Sequence, residues 1–150
     1  MMASTYLSLN VHIVFCTKNR EKWLINPSIR NATHAFLGGT LKTLNCMPLE
    51  VGGVADHVHI LTGFRATHSI AEIVREMKKA SASWFKDKTR RSAFAWQEGY
   101  SGFTVSPGGI DGVRAYIQNQ EEHHRVKSYQ EELLEMLAKA GIEPDMRYFD

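Results

Sequence analysis

The strongest constraint on the fold is an alternation of apolar and polar side chains between Tyr6 and Thr17. Side chains of a strand point alternately to opposite faces, so this pattern predicts a strand with one buried face. A slip of one residue would turn the apolar side chains to solvent, so the alternation also fixes the register. The apolar face holds Leu7, Leu9, Val11, Ile13 and Phe15, and the opposite face holds Ser8, Asn10 and His12.

Helix caps, glycine and proline breaks, and further periodic patterns divide the rest of the chain. In chain order they predict a helix over 27–44, strands over 46–52 and 53–63, a helix over 69–87, a strand over 100–106, and helices over 110–126 and 128–141. Gly52-Gly53 is a tight connection, so the two strands that meet there are expected to form a hairpin. Gly108-Gly109 makes the start of helix 110–126 a candidate hinge.

The order strand, helix, strand, strand, helix, strand is that of an α+β, ferredoxin-like antiparallel sheet, here one domain over 1–150 with extra C-terminal helices. The first two helices are expected to cover one face of the sheet. The other face is then open to a ligand or a partner. By the alternation, this open face carries Asn10, His12, His57, His59, Tyr100 and Thr104.

The segment GVADHVHILTG at 53–63 places His57 and His59 two positions apart on a strand. Both imidazoles therefore lie on one face, about 6 to 7 Å apart at the backbone, where they can hold one metal ion. Val58 between them points into the core. Two solvated histidines on an open sheet face would show the same spacing, so the pair needs further ligands to make a working metal site.

Helix 110–126 carries a stripe that turns polar in its second half, because Tyr116, Gln120 and His124 are separated by four residues each. Gln120 can complete a two-histidine metal site, and Tyr116 would then lie beside the ion. His124 is a competing ligand, and His123 lies at the edge of the same face. The alternative is a tyrosine at the rim of the core, with the amide and the histidines in solvent.

Such a set supports phosphoryl transfer. A divalent ion such as Mg²⁺ or Mn²⁺, held by two imidazoles and an amide oxygen, keeps open positions and polarises a phosphodiester. A tyrosine oxygen that attacks the phosphorus forms a phosphotyrosine, which preserves the energy of the DNA bond for rejoining. The usual pKa of tyrosine is about 10, so deprotonation of Tyr116 needs help from the ion or from a histidine such as His12 or His124.

Composition indicates an ordinary single domain of 150 residues with a net charge of +2. Cys16 and Cys46 lie in apolar runs and are expected to be reduced core residues of a cytoplasmic protein with no membrane segment. Residues 65–91 hold eight Lys or Arg against three acids, which favours a polyanionic partner. The candidate phosphate contacts are Lys18, Arg20, Lys22, Arg75, Lys78 and Lys79.

Several stretches together resemble a known family, the HUH-type single-tyrosine transposases of small insertion sequences, including those associated with repetitive extragenic palindromes. They are VHIVFCTKNR at 11–20, GGVADHVHIL at 52–61, the helix with Met77-Lys78-Lys79, WQEGYSGFTVSP at 96–107 and VRAYIQNQEEHH at 113–124. The resemblance implies that His57, His59 and Gln120 hold the metal and that Tyr116 is the nucleophile. It also implies a homodimer that acts on single-stranded DNA folded into hairpins.

Three other interpretations compete with this one. A histidine-triad nucleotide hydrolase needs a third histidine at the position that Leu61 occupies. A ferredoxin-like nucleic-acid-binding module would stack bases on aromatic side chains of the central strands, where this sequence has imidazoles. A domesticated, catalytically silent relative is expected to lose Tyr116 or a metal ligand, and this chain keeps them all.

Overall fold

The computed structural model describes residues 4–148. Over that range four strands and five α-helices follow one another in the predicted order. They are β1 (Asn10–Cys16), α1 (Pro27–Thr43), β2 (Met47–Gly53), β3 (His57–Gly63), α2 (Ile70–Thr89), β4 (Ser101–Val105), α3 (Ile110–Gln118), α4 (Gln120–His123) and α5 (Tyr129–Lys139).

The four strands form one antiparallel sheet in the order β2-β3-β1-β4, which confirms the predicted α+β, ferredoxin-like arrangement. β2 and β3 form the expected hairpin, and β1 lies at the centre of the sheet between β3 and β4. Ile13 pairs with Ile60, and Val14 pairs with His59. Each face of the sheet therefore keeps the chemical character that its alternation predicted.

Helices α1 and α2 cover the apolar face and bury the main core against it. Asn26 caps α1 through its side-chain oxygen, and Ser69 caps α2 in the same way, as the sequence predicted. Largest among the fully buried side chains of this core are Phe15, Phe85, Phe94, Leu24, Leu37, Leu41 and Met77. This core fixes the strands from behind, so it sets the positions of the residues on the other face.

Helix α3 lies on that other face, against β2 and β3. The expectation that this face is open is therefore wrong around the histidines: the C-terminal helices cover it, and His12, His57 and His59 are buried.

Helix α3 can approach closely because Gly52 has no side chain: a Cβ there would lie 2.7 Å from Cγ2 and 2.9 Å from the carbonyl oxygen of Ile117. Gly52 pairs with His59 in the sheet, so the helix docks directly beside the histidine strand. Glu50 adds two polar contacts at the edge, with Arg114 and with the amide of Gln118.

Several expectations about the elements are wrong in detail. β1 begins at Asn10 and not at Tyr6, so Leu7 and Leu9 are exposed. Gly52 and Gly53 belong to β2, and residues 54–56 connect it to β3.

The predicted helix 110–126 is broken at Asn119, so Tyr116 belongs to α3 and Gln120 opens the short α4. Thr104 faces the helices instead of the open face: it pairs with Val11, and its neighbour Gly102 lies against Ile70. The alternation in β4 was correct, but a short strand with a glycine gives little apolar contrast from which to choose its buried side.

The described part of the chain contains no helix that is long and apolar enough to cross a membrane. Cys16 and Cys46 are both free and buried, as the sequence predicted.

Candidate metal centre and nucleophile

His57 and His59 both lie on the face of the sheet opposite α1 and α2, and neither exposes any surface. β1 pairs Cys16 with His57 and Val14 with His59, so the central strands hold both imidazoles from the side. The two rings are 5.2 Å apart between centroids. The predicted histidine pair is therefore present on a rigid part of the sheet.

The second nitrogen of each imidazole has a partner that sets the ring orientation. Nδ1 of His57 lies 2.7 Å from a carboxylate oxygen of Asp56, and Nδ1 of His59 lies 2.9 Å from Nε2 of His12. Both Nε2 atoms are thereby directed towards the same space above the sheet, as in metal sites whose histidines are oriented by outer hydrogen bonds. Sequence reasoning included His12 but missed Asp56, although Asp56 directly precedes His57. We call these four residues the sheet half of the site.

The remaining polar residues reach this space from α3, α4 and α5, and we call Tyr116, Gln120, His124 and Glu132 the helical half. Gln120 is buried, and its Oε1 lies 3.2 Å from Nε2 of His57 and 3.1 Å from Nε2 of His124. The amide oxygen that the sequence assigned to the metal therefore faces the imidazole that it was expected to join. His124, the competing ligand, also faces the centre.

Glu132 lies at the middle of the whole assembly, and sequence reasoning missed it. It comes from α5, which Ser128 starts with a capping box, and it is only 3% exposed. Its Oε1 is 3.0 Å from Nε2 of His59, 3.3 Å from Nε2 of His57 and 3.1 Å from Nε2 of His124. An acid in the first turn of an amphipathic helix usually faces solvent, so no local signal marked this one as buried.

The other carboxylate oxygen of Glu132 joins the nucleophile to the site. It accepts hydrogen bonds from the hydroxyl of Tyr116 and, at 2.8 Å, from the amide nitrogen of Gln120. The ring of Tyr116 lies 5.8 Å from the ring of His59 and 4.4 Å from the ring of His123. The phenol and both histidines of the strand therefore meet within one chain.

Charge is concentrated on His57 and Glu132 when no ion is bound. Burial acts to lower the pKa of His57, but hydrogen bonds to Asp56 and Glu132 outweigh it and raise that pKa to about 9. Burial lowers the pKa of His59 to about 4 and that of His12 to about 3, so both are neutral near pH 7. Burial acts to raise the pKa of Glu132, but hydrogen bonds from the histidines hold it far below its usual range.

The donor atoms fit a divalent metal ion. One ligand atom each from His57, His59, His124 and Glu132 lies within 4.8 Å of the other three. Imidazole nitrogen with carboxylate oxygen is a common ligand set for divalent ions. The second carboxylate oxygen of Glu132 keeps its hydrogen bond from the Tyr116 hydroxyl. The pKa of Tyr116 is raised by burial and by the neighbouring Glu132 carboxylate, so the free phenol is protonated at neutral pH.

The basic residues predicted to contact phosphate fall into two groups. Arg20 and Lys22 line a cavity of about 360 Å³ beside Asp56 and His124, close to the site. Arg75 and Lys79 are exposed on α2, at the other side of the sheet. Lys78 donates to the carbonyls of Gln97 and Gly99, at 2.7 and 2.6 Å, and burial lowers its pKa.

Lys18 is exposed in a short 3-10 turn over Lys18–Arg20. Phosphate binding by any of these residues stays a prediction.

Comparisons with known proteins identify the family and the fold. The sequence profile of the family described as "Transposase IS200 like" matches residues 5–120. A solved putative transposase from Deinococcus radiodurans R1 superposes with a TM-score of 0.65 at 22% identity, over 80% of this chain and 96% of that one. A REP-associated tyrosine transposase solved bound to a REP hairpin gives 0.59 at 12% identity, over 83% and 73%. No curated protein matches significantly.

Proposed function

The chain belongs to the family of IS200-like transposases, and from this premise we propose that it cleaves and rejoins single-stranded DNA at hairpin-bearing ends through a 5′-phosphotyrosine on Tyr116. The observation that carries the proposal is the convergence of a phenol, a side-chain amide and the two strand imidazoles around one carboxylate. The chemistry of that set is metal-assisted phosphoryl transfer, as the resemblance to the family implied.

In the cleavage step the Tyr116 oxygen attacks the phosphorus of the scissile bond, and the bond from phosphorus to the 3′ oxygen breaks. The proton of the phenol passes to Glu132, which already accepts its hydrogen bond. The departing 3′ oxygen takes a proton from solvent and leaves as a hydroxyl, while Glu132 keeps the phenol proton until rejoining. Rejoining reverses these changes, because a 3′ hydroxyl of another end attacks the phosphotyrosine and releases the phenol.

The proposed Mg²⁺ or Mn²⁺ would be held by Nε2 of His57, Nε2 of His59 and Oε1 of Gln120. A ligand atom of His124 and one of Glu132 each lie within 4.8 Å of the ligand atoms of both strand histidines. When bound, such an ion polarises the phosphodiester and stabilises charge on the departing oxygen. Asp56 and His12 keep both imidazoles aimed at it.

Tyr116→Phe tests the proposal with the largest expected effect. A labelled DNA hairpin with single-stranded arms, taken from the sequence that flanks the gene, is incubated with protein and Mn²⁺ and resolved on a denaturing gel. We expect the covalent adduct to fall by about 10³-fold or more, since the nucleophile is absent. Chelation of the ion should abolish it in the parent protein as well.

Tyr6→Phe is the matched control, because Tyr6 is 91% exposed on the N-terminal segment and has no role in the site. Its adduct should equal that of the parent. Binding of the hairpin should survive in Tyr116→Phe. An adduct that persists in Tyr116→Phe would reject the assignment of the nucleophile, and full activity after chelation would reject the role of the metal.

The proposed homodimer rests on the resemblance alone, whereas the phenol of Tyr116 reaches the histidines of its own chain in this structure. We therefore propose that each subunit holds a complete site. This proposal differs from an exchange of tyrosine helices between subunits, which the resemblance also permits.

A further inference from the structure

A loop that follows the buried Trp96 lies between two cavities, and we call its residues 97–100 the ridge. The outer cavity, of about 470 Å³, lies between the ridge and α2. The inner cavity, of about 740 Å³, lies between the ridge, the end of β1 and α5. All four ridge residues, Gln97, Glu98, Gly99 and Tyr100, line both cavities.

The ridge is held in a fixed shape by groups that are not part of the site. Lys78 binds the carbonyls of Gln97 and Gly99 from α2, and the backbone N–H of Gln97 donates to the carbonyl of Cys16 on β1. Gly99 has a φ of +90°, a conformation that other residues rarely adopt. Tyr100 is thus presented on a preformed turn, with 41% of its surface exposed.

The outer cavity has the charge expected of a phosphate-binding groove. Arg75, Lys79 and Lys86 are exposed along one side of α2, at spacings of four and seven residues, and we call them the basic stripe. Glu98 is the one acid among the residues that line this cavity. Basic side chains beside an exposed aromatic ring are typical of surfaces that bind single-stranded nucleic acid.

The inner cavity lies beside the candidate metal centre, with Tyr129 between the cavity and His57. Tyr129 forms part of its wall, and the ring of Tyr129 packs against the ring of His57 with 4.7 Å between centroids. Its volume falls within the range of about 300–1,000 Å³ that holds small organic ligands, so it can accept a nucleotide. The ridge is therefore the point at which a strand lying on α2 would pass to the face of the sheet that carries the site.

We propose that single-stranded DNA crosses the molecule by this path. Its phosphates lie along the basic stripe, one base stacks on Tyr100, and the next nucleotide enters the inner cavity, beside Tyr129 and the histidine strand. This inference rests on the proposed function and deepens it by assigning the approach of the strand. Tyr100 is a positioning residue in this arrangement, since it contacts a base and not the reacting atoms.

The test uses binding without chemistry. The probe is a DNA hairpin with an oligothymidine arm on each side and a single 2-aminopurine placed at successive arm positions. Oligothymidine suits the test because stacking on an aromatic ring tolerates any base. The proteins carry Tyr116→Phe and are measured in a chelator at low salt, so cleavage does not affect the result.

We expect 2-aminopurine fluorescence to be quenched at one arm position in the parent, and Tyr100→Ala to abolish that quenching and weaken binding about 10-fold or more. Tyr100→Phe should keep both. Lys79→Gln should lower the dependence of affinity on salt by about one ion, and Lys42→Gln, on the exposed end of α1, should leave it unchanged.

Quenching and affinity that are unchanged in Tyr100→Ala overturn the path, as does a Lys79→Gln salt dependence equal to that of Lys42→Gln. If either of these results is found and the protein with Tyr116 intact still forms its covalent adduct, only the path has failed and the proposed function stands. A parent that neither binds the hairpin nor forms an adduct overturns both. Tyr100→Phe keeps the ring, so it should still bind. If it loses binding and its circular dichroism spectrum also changes, the variant is misfolded. If it loses binding with an unchanged spectrum, the hydroxyl has a role that contradicts stacking.

Discussion

His57 and His59 are held within a sheet by strand pairing, burial and a hydrogen bond on each Nδ1, whereas Tyr116, Gln120 and Glu132 reach the same point from three short helices. The sheet half has a large apolar core directly behind it. The helical half has little such support, because Ile117 and Leu137 are the buried apolar residues that α3, α4 and α5 contribute. Its position depends on polar contacts with the sheet half.

The end of the family profile divides the residues of the site in a similar way. The family profile ends at residue 120, so it contains the strand histidines, Tyr116 and Gln120, while His124 and Glu132 lie beyond it. The part within the profile supplies the proposed nucleophile and the proposed primary metal ligands. The part beyond it supplies the carboxylate that every other member of the helical half contacts. We therefore expect the last helix to tune the affinity of the site for its ion.

Of the proposed substitutions, Glu132→Gln should most weaken the contact between the sheet half and the helical half. It removes the buried charge that pairs with three imidazoles, which should lower the free energy of unfolding by about 3 kcal/mol and the affinity for Mn²⁺ by about 100-fold. Thermal denaturation and isothermal calorimetry measure the two quantities.

Glu135→Gln on the same helix is the control for that substitution. Its carboxylate pairs with Lys127 at the surface, where an ion pair contributes about 0–1 kcal/mol. Equal effects of the two substitutions would mean that Glu132 does not join the halves.

Gly52→Ala should separate the halves sterically without changing any side chain of the site. A Cβ at Gly52 meets Ile117 within 3 Å, so α3 must shift, at a cost of about 2 kcal/mol, and covalent capture of the hairpin should fall because Tyr116 moves with the helix. Gly38→Ala is the matched control, since nothing lies within 4 Å of its Cβ and alanine favours the helix by about 1 kcal/mol. Unchanged capture in Gly52→Ala would show that α3 tolerates the displacement.

The sequence predicted the sheet half more completely than the helical half, for a physical reason. Alternation over 10–16 and 57–63 reports burial on one face, and burial on one face determines which residues meet. The break at Asn119 has no such signal, because the residues on either side remain helical in pattern. Glu132 was missed because its burial arises from partners 8 to 75 residues away in the chain, which local periodicity does not report.

Asp56→Asn should show how much the sheet half contributes by orientation alone. Asp56 accepts the Nδ1–H of His57 and is partly exposed, so its loss should lower the affinity for Mn²⁺ about 10-fold with little change in stability. Asp87→Asn, on the exposed face of α2, should change neither. A loss of stability as large as that of Glu132→Gln would mean that the sheet half is less rigid than its burial implies.

The pH dependence of the metal-free protein separates the two partners of His57. Its pKa is raised to about 9, so the stability that its charge contributes is fully present below its ordinary value of about 6.5 and is lost as pH rises towards 9. The loss is at most about 1.4 kcal/mol per pH unit. Over the same range the affinity for Mn²⁺ should rise, since binding displaces the Nε2 proton. The measurement is the free energy of unfolding of the parent and of Glu132→Gln from pH 6 to 9. A shallower dependence of that free energy on pH in the variant assigns the raised pKa in part to the helical half. An identical dependence assigns it to Asp56 alone.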